Sequence, residues 1–282
     1  MEKIYILLPV YNRRDITQSF IKCLRIQTYQ NYHLVLIDDG STDGTEEMVR
    51  SQIQSLTVIK GTGKWWWAGS LQQGYLWLKS QNISSSDLIL IVNDDATFED
   101  DFLEIGLFLL KNRRKTLLGT ECYSQQTNKL IDAGVNLDWQ HKKIEITLQL
   151  DKINCLSTKG LFFRHEDFLA IGGFYPHLLS HHAADYEFTT RALRKGMQLI
   201  IDPKLKLSLN ELTTGYYEIP SGHGWKSLIK LFSKKSALNP ITLTIFVALS
   251  CPIRWKVTNL LSIWKNAIVQ IFHFFFTSTR YL

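Results

Sequence analysis

Leu88-Ile89-Leu90-Ile91-Val92-Asn93-Asp94-Asp95 is the stretch that decides the fold. An unbroken aliphatic run this short reads as a buried strand, and it stops abruptly at an amide and two carboxylates. A helical period follows in Phe98, Phe102, Ile105 and Leu109. The same order recurs upstream. Ile4–Leu8 is an apolar strand closed by Pro9, and Ile16, Phe20, Cys23 and Leu24 come next at helical spacing. Leu34–Ile37 runs into Asp38-Asp39-Gly40-Ser41-Thr42-Asp43-Gly44-Thr45, where Asp43 and Glu46 form a capping pair for the next helix. Leu56–Ile59 leads through Gly61-Thr62-Gly63 to Leu71, Tyr75 and Leu78. Repeated βα units of this length predict an α/β fold, a mostly parallel sheet flanked by helices. Ligands of such sheets sit beyond the carboxyl ends of the strands, where the polar clusters 9–13, 38–45, 61–69 and 93–95 all fall.

The whole chain sets the bounds. Its 282 residues, 45% of them hydrophobic, suit one large packed domain with or without an appendage. Cys23, Cys122, Cys155 and Cys251 lie far apart, which argues against a structural zinc site or disulfide scaffold and suits a reducing compartment. The first apolar run is too short for a signal peptide and reads as a strand. The net charge of +6 is uneven: residues 225–282 contain eight Lys and Arg and no acid, whereas residues 1–224 carry a formal −2. That break divides the chain into a catalytic-type region, 1–220, and a C-terminal region, 221–282.

Adjacent carboxylates after a buried strand can hold a divalent cation that bridges a diphosphate, or they can simply form a solvated turn or helix cap. Asp38 and Asp39 face a similar choice between a ribose or base contact and a glycine-assisted turn. In Gly61-Thr62-Gly63-Lys64-Trp65-Trp66-Trp67-Ala68-Gly69, three consecutive tryptophans cannot all face one core. A loop is expected there, with two of the rings packed inward, an indole face for a sugar or base, and Lys64 for a phosphate. Asp185 opens a helix marked by Phe188, Ala192 and Leu193, where a carboxylate could serve as a base or only as a cap. The adjacent His181 and His182 should point apart and not share a metal.

Taken in order, Pro9-Val10-Tyr11-Asn12, Asp38 to Thr45, Asn93-Asp94-Asp95, Gly172-Gly173-Phe174 and Asp185-Tyr186-Glu187 resemble the family 2 glycosyltransferases of GT-A fold. The likeness runs from Ile4 to about Asp202, and the Lys64–Gly74 stretch is similar to a tryptophan-rich segment of rhamnosyltransferase-like members. The resemblance implies an inverting transfer from a nucleoside-diphosphate sugar, with Mg²⁺ or Mn²⁺ as cofactor. It places Pro9, Val10, Tyr11, Asn12, Asp38, Asp39, Lys64, Trp66, Trp67, Gly69, Asn93 and Asp94 around the donor. It makes Asp95 with Asp94 the metal ligands and Asp185 the general base. Two positions depart from the family pattern: Asn93 stands where many members have Asp, and Ala184 where many have Glu. A metal-binding His of some members has no counterpart near Asn210.

In the basic region, Val257, Leu261, Trp264, Ile268, Ile271 and Phe275 form an apolar stripe at helical spacing, suited to lie in a bilayer interface or to pack on protein. The uncharged run around Ile241–Cys251 is too short to span. No nucleic-acid motif is present. The sequence therefore predicts a cytoplasmic enzyme, peripheral at the inner face of a membrane, with a glycan or lipid-linked glycan acceptor. The competing readings are a catalytically inactive membrane-bound sugar-nucleotide scaffold and a sugar nucleotidyltransferase. The latter requires a glycine-rich basic phosphate loop that residues 9–13 do not supply.

Overall fold

The computed structural model describes residues 2–213 and 224–276. The strands are β1 Ile4–Val10, β2 Tyr32–Asp38, β3 Leu56–Lys60, β4 Leu88–Ile91, β5 Ala96–Thr97 and β6 Thr116–Ser124, then β7 Leu130–Asp132, β8 Gly134–Asp138, β9 Lys143–Thr147, β10 Cys155–Leu156, β11 Leu161–Arg164 and β12 Gln198–Leu209. The helices are α1 Arg14–Arg25, α2 Thr45–Arg50, α3 Trp66–Ser80, α4 Phe102–Leu110, α5 His165–Ile171, α6 Ala184–Arg194, α7 Trp225–Leu231, α8 Pro240–Ser250 and α9 Ile253–Phe276.

The main sheet has the order β3-β2-β1-β4-β11-β6-β12-β5, with β7 added on β6. Pairing is parallel from β3 to β4 and between β6 and β12; β11 runs antiparallel between β4 and β6. A small antiparallel sheet, β10-β8-β9, stands beside it.

Alternation along the strands explains why both faces are apolar. Ile6 and Leu8, with Leu34, Leu36, Leu88 and Leu90, pack against α1 and α4 residues such as Phe20, Leu24, Phe102 and Leu103. Leu7, with Val35, Ile37, Ile89 and Ile91, packs on the opposite face against Leu71, Tyr75 and Leu78 of α3 and Phe168 and Phe188 of α5 and α6.

Three local expectations change. Pro9 does not end β1, which continues to Val10. The Leu7 carbonyl accepts from Val92 N–H, and Pro9 lies two residues on, along the same edge. The register with β4 ends at Leu7 and Ile91, so the missing proline N–H has no strand to serve. Phe98 lies before α4 and stacks on Phe102 with ring centroids 4.7 Å apart. Asp43 Oδ1 does accept from Thr45 N–H at 3.1 Å, but Glu46 turns away to ion pairs with Arg50 and Lys60, each 2.7 Å, so no reciprocal capping box forms.

The C-terminal helices dock on the domain. Phe246 of α8 joins the buried core, and Thr190 of α6 bonds to Ser250 at 3.1 Å. Asn259 is the buried polar anchor of α9, donating to the Trp139 carbonyl at 2.8 Å. Of the expected apolar stripe, Val257, Leu261, Trp264, Ile268 and Phe275 are exposed and Ile271 is half-buried.

Candidate active site

The carboxyl ends of β1, β2 and β4 bring most of the expected residues together. Val10 is buried and its side chain belongs to the core, so only its backbone faces the loops; its carbonyl accepts from Asp39 N–H at 3.0 Å. Pro9 is buried too, while Tyr11 beyond it is 52% exposed. Asn12 holds the neighbouring loop: its side-chain oxygen accepts from Thr42 N–H at 2.8 Å, and its own N–H donates to Ser41 Oγ at 2.9 Å.

Asp38 and Asp39 divide the work. Asp38 Oδ1 accepts from Ser41 N–H at 2.7 Å and shapes the turn. Both oxygens of Asp39 accept backbone N–H groups from the loop leading into α3 and from its first residue: Gly63 at 2.8 Å, Lys64 at 3.2 Å, Trp65 at 2.8 Å and Trp66 at 3.2 Å. A carboxylate here satisfies donors that a helix leaves unpaired. Gly61 is required for the approach, because a Cβ on it would lie 2.4 Å from Asp39 Oδ1 and 2.6 Å from the Trp65 ring.

The tryptophan run is partly helical, since α3 begins at Trp66, whose φ of 58° is rare for so bulky a residue. Trp65 and Trp67 pack against the core, and Trp67 Nε1 donates to Thr158 Oγ1 at 3.3 Å. Trp66 meets the His181 ring edge-on at 5.9 Å. Lys64, Trp66 and Gly69 line a cavity of about 490 Å³ with His177, Ser180 and Lys234, which Asp94, Asp95 and Asp185 do not line. His181 and His182 do not point apart; their rings meet at 4.6 Å.

After β4, Asp94 and Asp95 are buried and adjacent. Arg13 Nε donates to Asp94 Oδ2 at 2.9 Å and Arg13 Nη2 to Asp95 Oδ2 at 3.4 Å; Thr17 donates to Asp94 at 3.1 Å. Burial, then repulsion from Asp94, pushes the Asp95 carboxyl up to about 6, against the pull of Arg13. Asp95 Oδ1 and Asn93 Oδ1 are buried without a hydrogen-bond partner. An orphaned carboxylate oxygen and an orphaned amide oxygen side by side in sequence with a second carboxylate suit a hard divalent cation. No cluster of three or more His, Cys, Asp or Glu of metal-binding type occurs among the described residues.

Asp185 lies in the first turn of α6, where its Oδ1 accepts Tyr186 N–H at 2.9 Å. The residue is half-buried, and withdrawal of its carboxyl from water raises its pKa to about 6, with Asp132 adding to the rise and Lys159 opposing it. Gly172-Gly173-Phe174 steers the chain toward α6 and is held there by Arg191, which donates to the carbonyls of Gly172 at 3.3 Å and Gly173 at 2.7 Å.

Sequence reasoning singled out neither Arg13 and Thr17, which bond to the carboxylate pair, nor Asp132 and Lys159, whose charges act on Asp185. Arg13 belongs to the cluster at 9–13, so its position carried a signal. Nothing in the sequence marks Asp132 or Lys159.

The family model described as glycosyl transferase family 2 matches residues 5–168, more than half of the chain. The chain belongs to glycosyl transferase family 2. This family 2 chain is 24% identical over 206 residues to glycosyltransferase AglE of Haloferax volcanii, covering 69% of itself and 62% of AglE. It therefore spans less than two thirds of that relative's length. It is 27% identical over 182 residues to an uncharacterized glycosyltransferase of Haemophilus influenzae, 60% of this chain and 70% of that protein. Among solved structures, S. aureus TarS superposes with a TM-score of 0.61 at 16% identity, over 96% of this chain and 54% of that one. The mannosyltransferase PcManGT from Pyrobaculum calidifontis, in complex with GDP-Man and Mn²⁺, superposes at 0.57 and 17% identity, over 94% and 75%. The α/β architecture is thus the expected GT-A fold.

Proposed function

We propose that this family 2 member transfers one sugar, with inversion, from a nucleoside-diphosphate sugar to a hydroxyl of a glycan or lipid-linked glycan. The observation that carries the reading is a pair of acidic centres of different character. Asp94 and Asp95 form a buried carboxylate site in which Asp95 Oδ1 has no hydrogen-bond partner, beside the equally unpartnered Asn93 Oδ1. Asp185 stands apart on a helix terminus with a pKa near 6, suited to a base.

Asp95, with Asp94, would hold Mg²⁺ or Mn²⁺, whose charge would stabilise the diphosphate as it departs. The backbone around Pro9–Asn12 and Asp38 would border the nucleoside. Asp185 takes the proton of the acceptor hydroxyl; the oxygen forms a bond to the anomeric carbon, and the bond to the diphosphate breaks with its electron pair leaving on the nucleotide. Attack opposite the leaving group inverts the centre. The 490 Å³ cavity with Lys64, Trp66 and Lys234 offers apolar walls and cations to the acceptor or donor. TarS has been solved with UDP-GlcNAc and PcManGT with GDP-Man, which supports a nucleotide-sugar donor without selecting one; a deoxyhexose such as rhamnose rests on the tryptophan segment alone.

The outward apolar row of α9, together with exposed Trp225 and Ile229 of α7, supports peripheral membrane binding at the cytoplasmic face, because no acidic residue lies among the tail's eight cations. Among the described residues no helix is long and apolar enough to cross a membrane.

A thermal-shift screen of UDP, dTDP and GDP sugars with and without Mn²⁺ tests the donor site. A metal-dependent rise with one nucleotide is expected. A flat response from folded protein overturns the reading in favour of a scaffold.

A further inference from the structure

Lys159 and Asp132 form an ion pair at 2.7 Å, with side chains only 16% and 5% exposed. A pair so far from water gains little stability over apolar residues of the same size, so its value lies in the groups it presents. The topology fixes where that is. Gly160 follows Lys159, and its N–H donates to the Ile91 carbonyl at 3.0 Å, at the end of β4 just before Asn93-Asp94-Asp95. Asp132 closes β7 opposite Cys122, near the carboxyl end of β6, two strands away from β4 in the same sheet. The loop holding Lys159 is pinned by Thr120, which donates to the Lys159 carbonyl at 3.0 Å, and through Thr158 by Trp67.

The same loop adjoins the helix that carries Asp185: Leu156, three residues before Lys159, donates its N–H to Thr189 Oγ1 of α6 at 3.1 Å, one turn on from Asp185. Lys159 lowers both Asp95 and Asp185, and Asp132 raises Asp185. The buried Cys122 thiol, pushed up to about 12 chiefly by burial, feels Asp132, Lys159 and Asp95 together. In an in-line displacement, the base and the leaving diphosphate stand on opposite sides of the anomeric carbon. If Asp185 is the base and Asp95 lies on the diphosphate side, the sugar ring occupies the space between them.

We propose that Lys159 and Asp132 bind hydroxyls of the transferred sugar, the ammonium donating to one and the carboxylate accepting from a neighbour. A matched ion pair has no net charge with which to attract a diphosphate, but it offers one donor and one acceptor side by side, which is the pattern of a vicinal diol. The two are then specificity-determining residues for the donor sugar. The inference rests on the functional reading above.

The test is calorimetric titration with Mn²⁺ present, using UDP-GlcNAc, GDP-mannose and dTDP-rhamnose against UDP, GDP and dTDP. Lys159→Met and Asp132→Asn should each weaken the sugar nucleotide preferred by the wild type at least ~10-fold, while the matching free nucleotide changes less than ~3-fold. Lys159→Arg should recover part of the loss. Retained binding of the free nucleotide shows that each variant is folded. Equal weakening of both ligands would assign the pair to the diphosphate or the fold, and unchanged binding of the sugar nucleotide would remove it from the site; either overturns the proposal. A wild type that binds free nucleotide but gains nothing from the sugar also overturns it. A wild type that binds neither ligand defeats the underlying functional reading itself.

Discussion

Arg13 Nε lies 2.9 Å from Asp94 Oδ2, so the cation that balances the carboxylate pair comes from the start of α1. Its Nη1 also donates to the Thr213 carbonyl at 2.8 Å, tying the segments that follow β1, β4 and β12 to one side chain. Removing it should leave two adjacent carboxylates short of charge. Arg13→Met is expected to lower stability by about 1–3 kcal/mol, less than a fully buried pair would cost because the guanidinium is part-exposed. Mn²⁺ should then raise the melting temperature more in the variant than in the wild type, as a thermal-shift titration would show. Equal Mn²⁺ responses would count against a metal role for Asp94 and Asp95.

Asp185→Asn should cut kcat by about 10²–10⁴-fold while leaving donor affinity within a factor of about three, the signature of a group used only in the chemical step. Transfer assays beside donor titrations separate the two. Retained turnover would exclude Asp185 as the base.

The raised Asp185 pKa has a kinetic and a thermodynamic consequence. As base it must be ionised, so kcat/KM should fall as pH drops through about 6. For stability, the unfolded carboxyl loses its proton near 3.8 and the folded one near 6, so between these values the folded state binds more protons. Stability from this group is therefore present below pH 3.8 and is lost as pH rises to 6. Asp185→Asn should stabilise the protein at pH 8 by about 1–3 kcal/mol, with no gain below pH 3.8. Melting curves at the two pH values would test the sign.

Asp39→Ala deprives four N–H groups of their acceptor and should cost about 2–4 kcal/mol in urea unfolding. Asp39→Asn, with one carbonyl oxygen in place of two carboxylate oxygens, should cost less. A neutral Asp39→Ala would mean that the start of α3 finds other partners.

Replacing exposed Trp264 and Ile268 together by Glu should leave the fold intact, since both project from α9. Co-sedimentation with phosphatidylglycerol vesicles should fall at least ~10-fold, and the wild-type interaction should weaken with added salt. Wild-type protein that stays in the supernatant would refute membrane binding by this face.

The β1–β4 core was legible because each strand is a short aliphatic run followed by a polar cluster, and local patterns of that kind need no tertiary information. The positions of Asp94, Asp95 and Asp185 at a strand end and a helix start were legible from their neighbours, whereas the roles proposed for them came from the family resemblance. Asp39 was located but not understood, since the four N–H groups it accepts lie 24 to 27 residues away in sequence.

The order of elements and the placement of acidic residues were thus determined by the sequence itself, through spacing and burial preference within each segment. Tertiary structure alone decided which charges meet. Asp132 and Lys159 are 27 residues apart, and Arg13 and Asp94 are 81 apart. The outward turn of the α9 stripe was decided the same way, by the Asn259 anchor on Trp139, 120 residues distant. Contacts such as these depend on how the sheet and helices close on one another, and no local period records that closure.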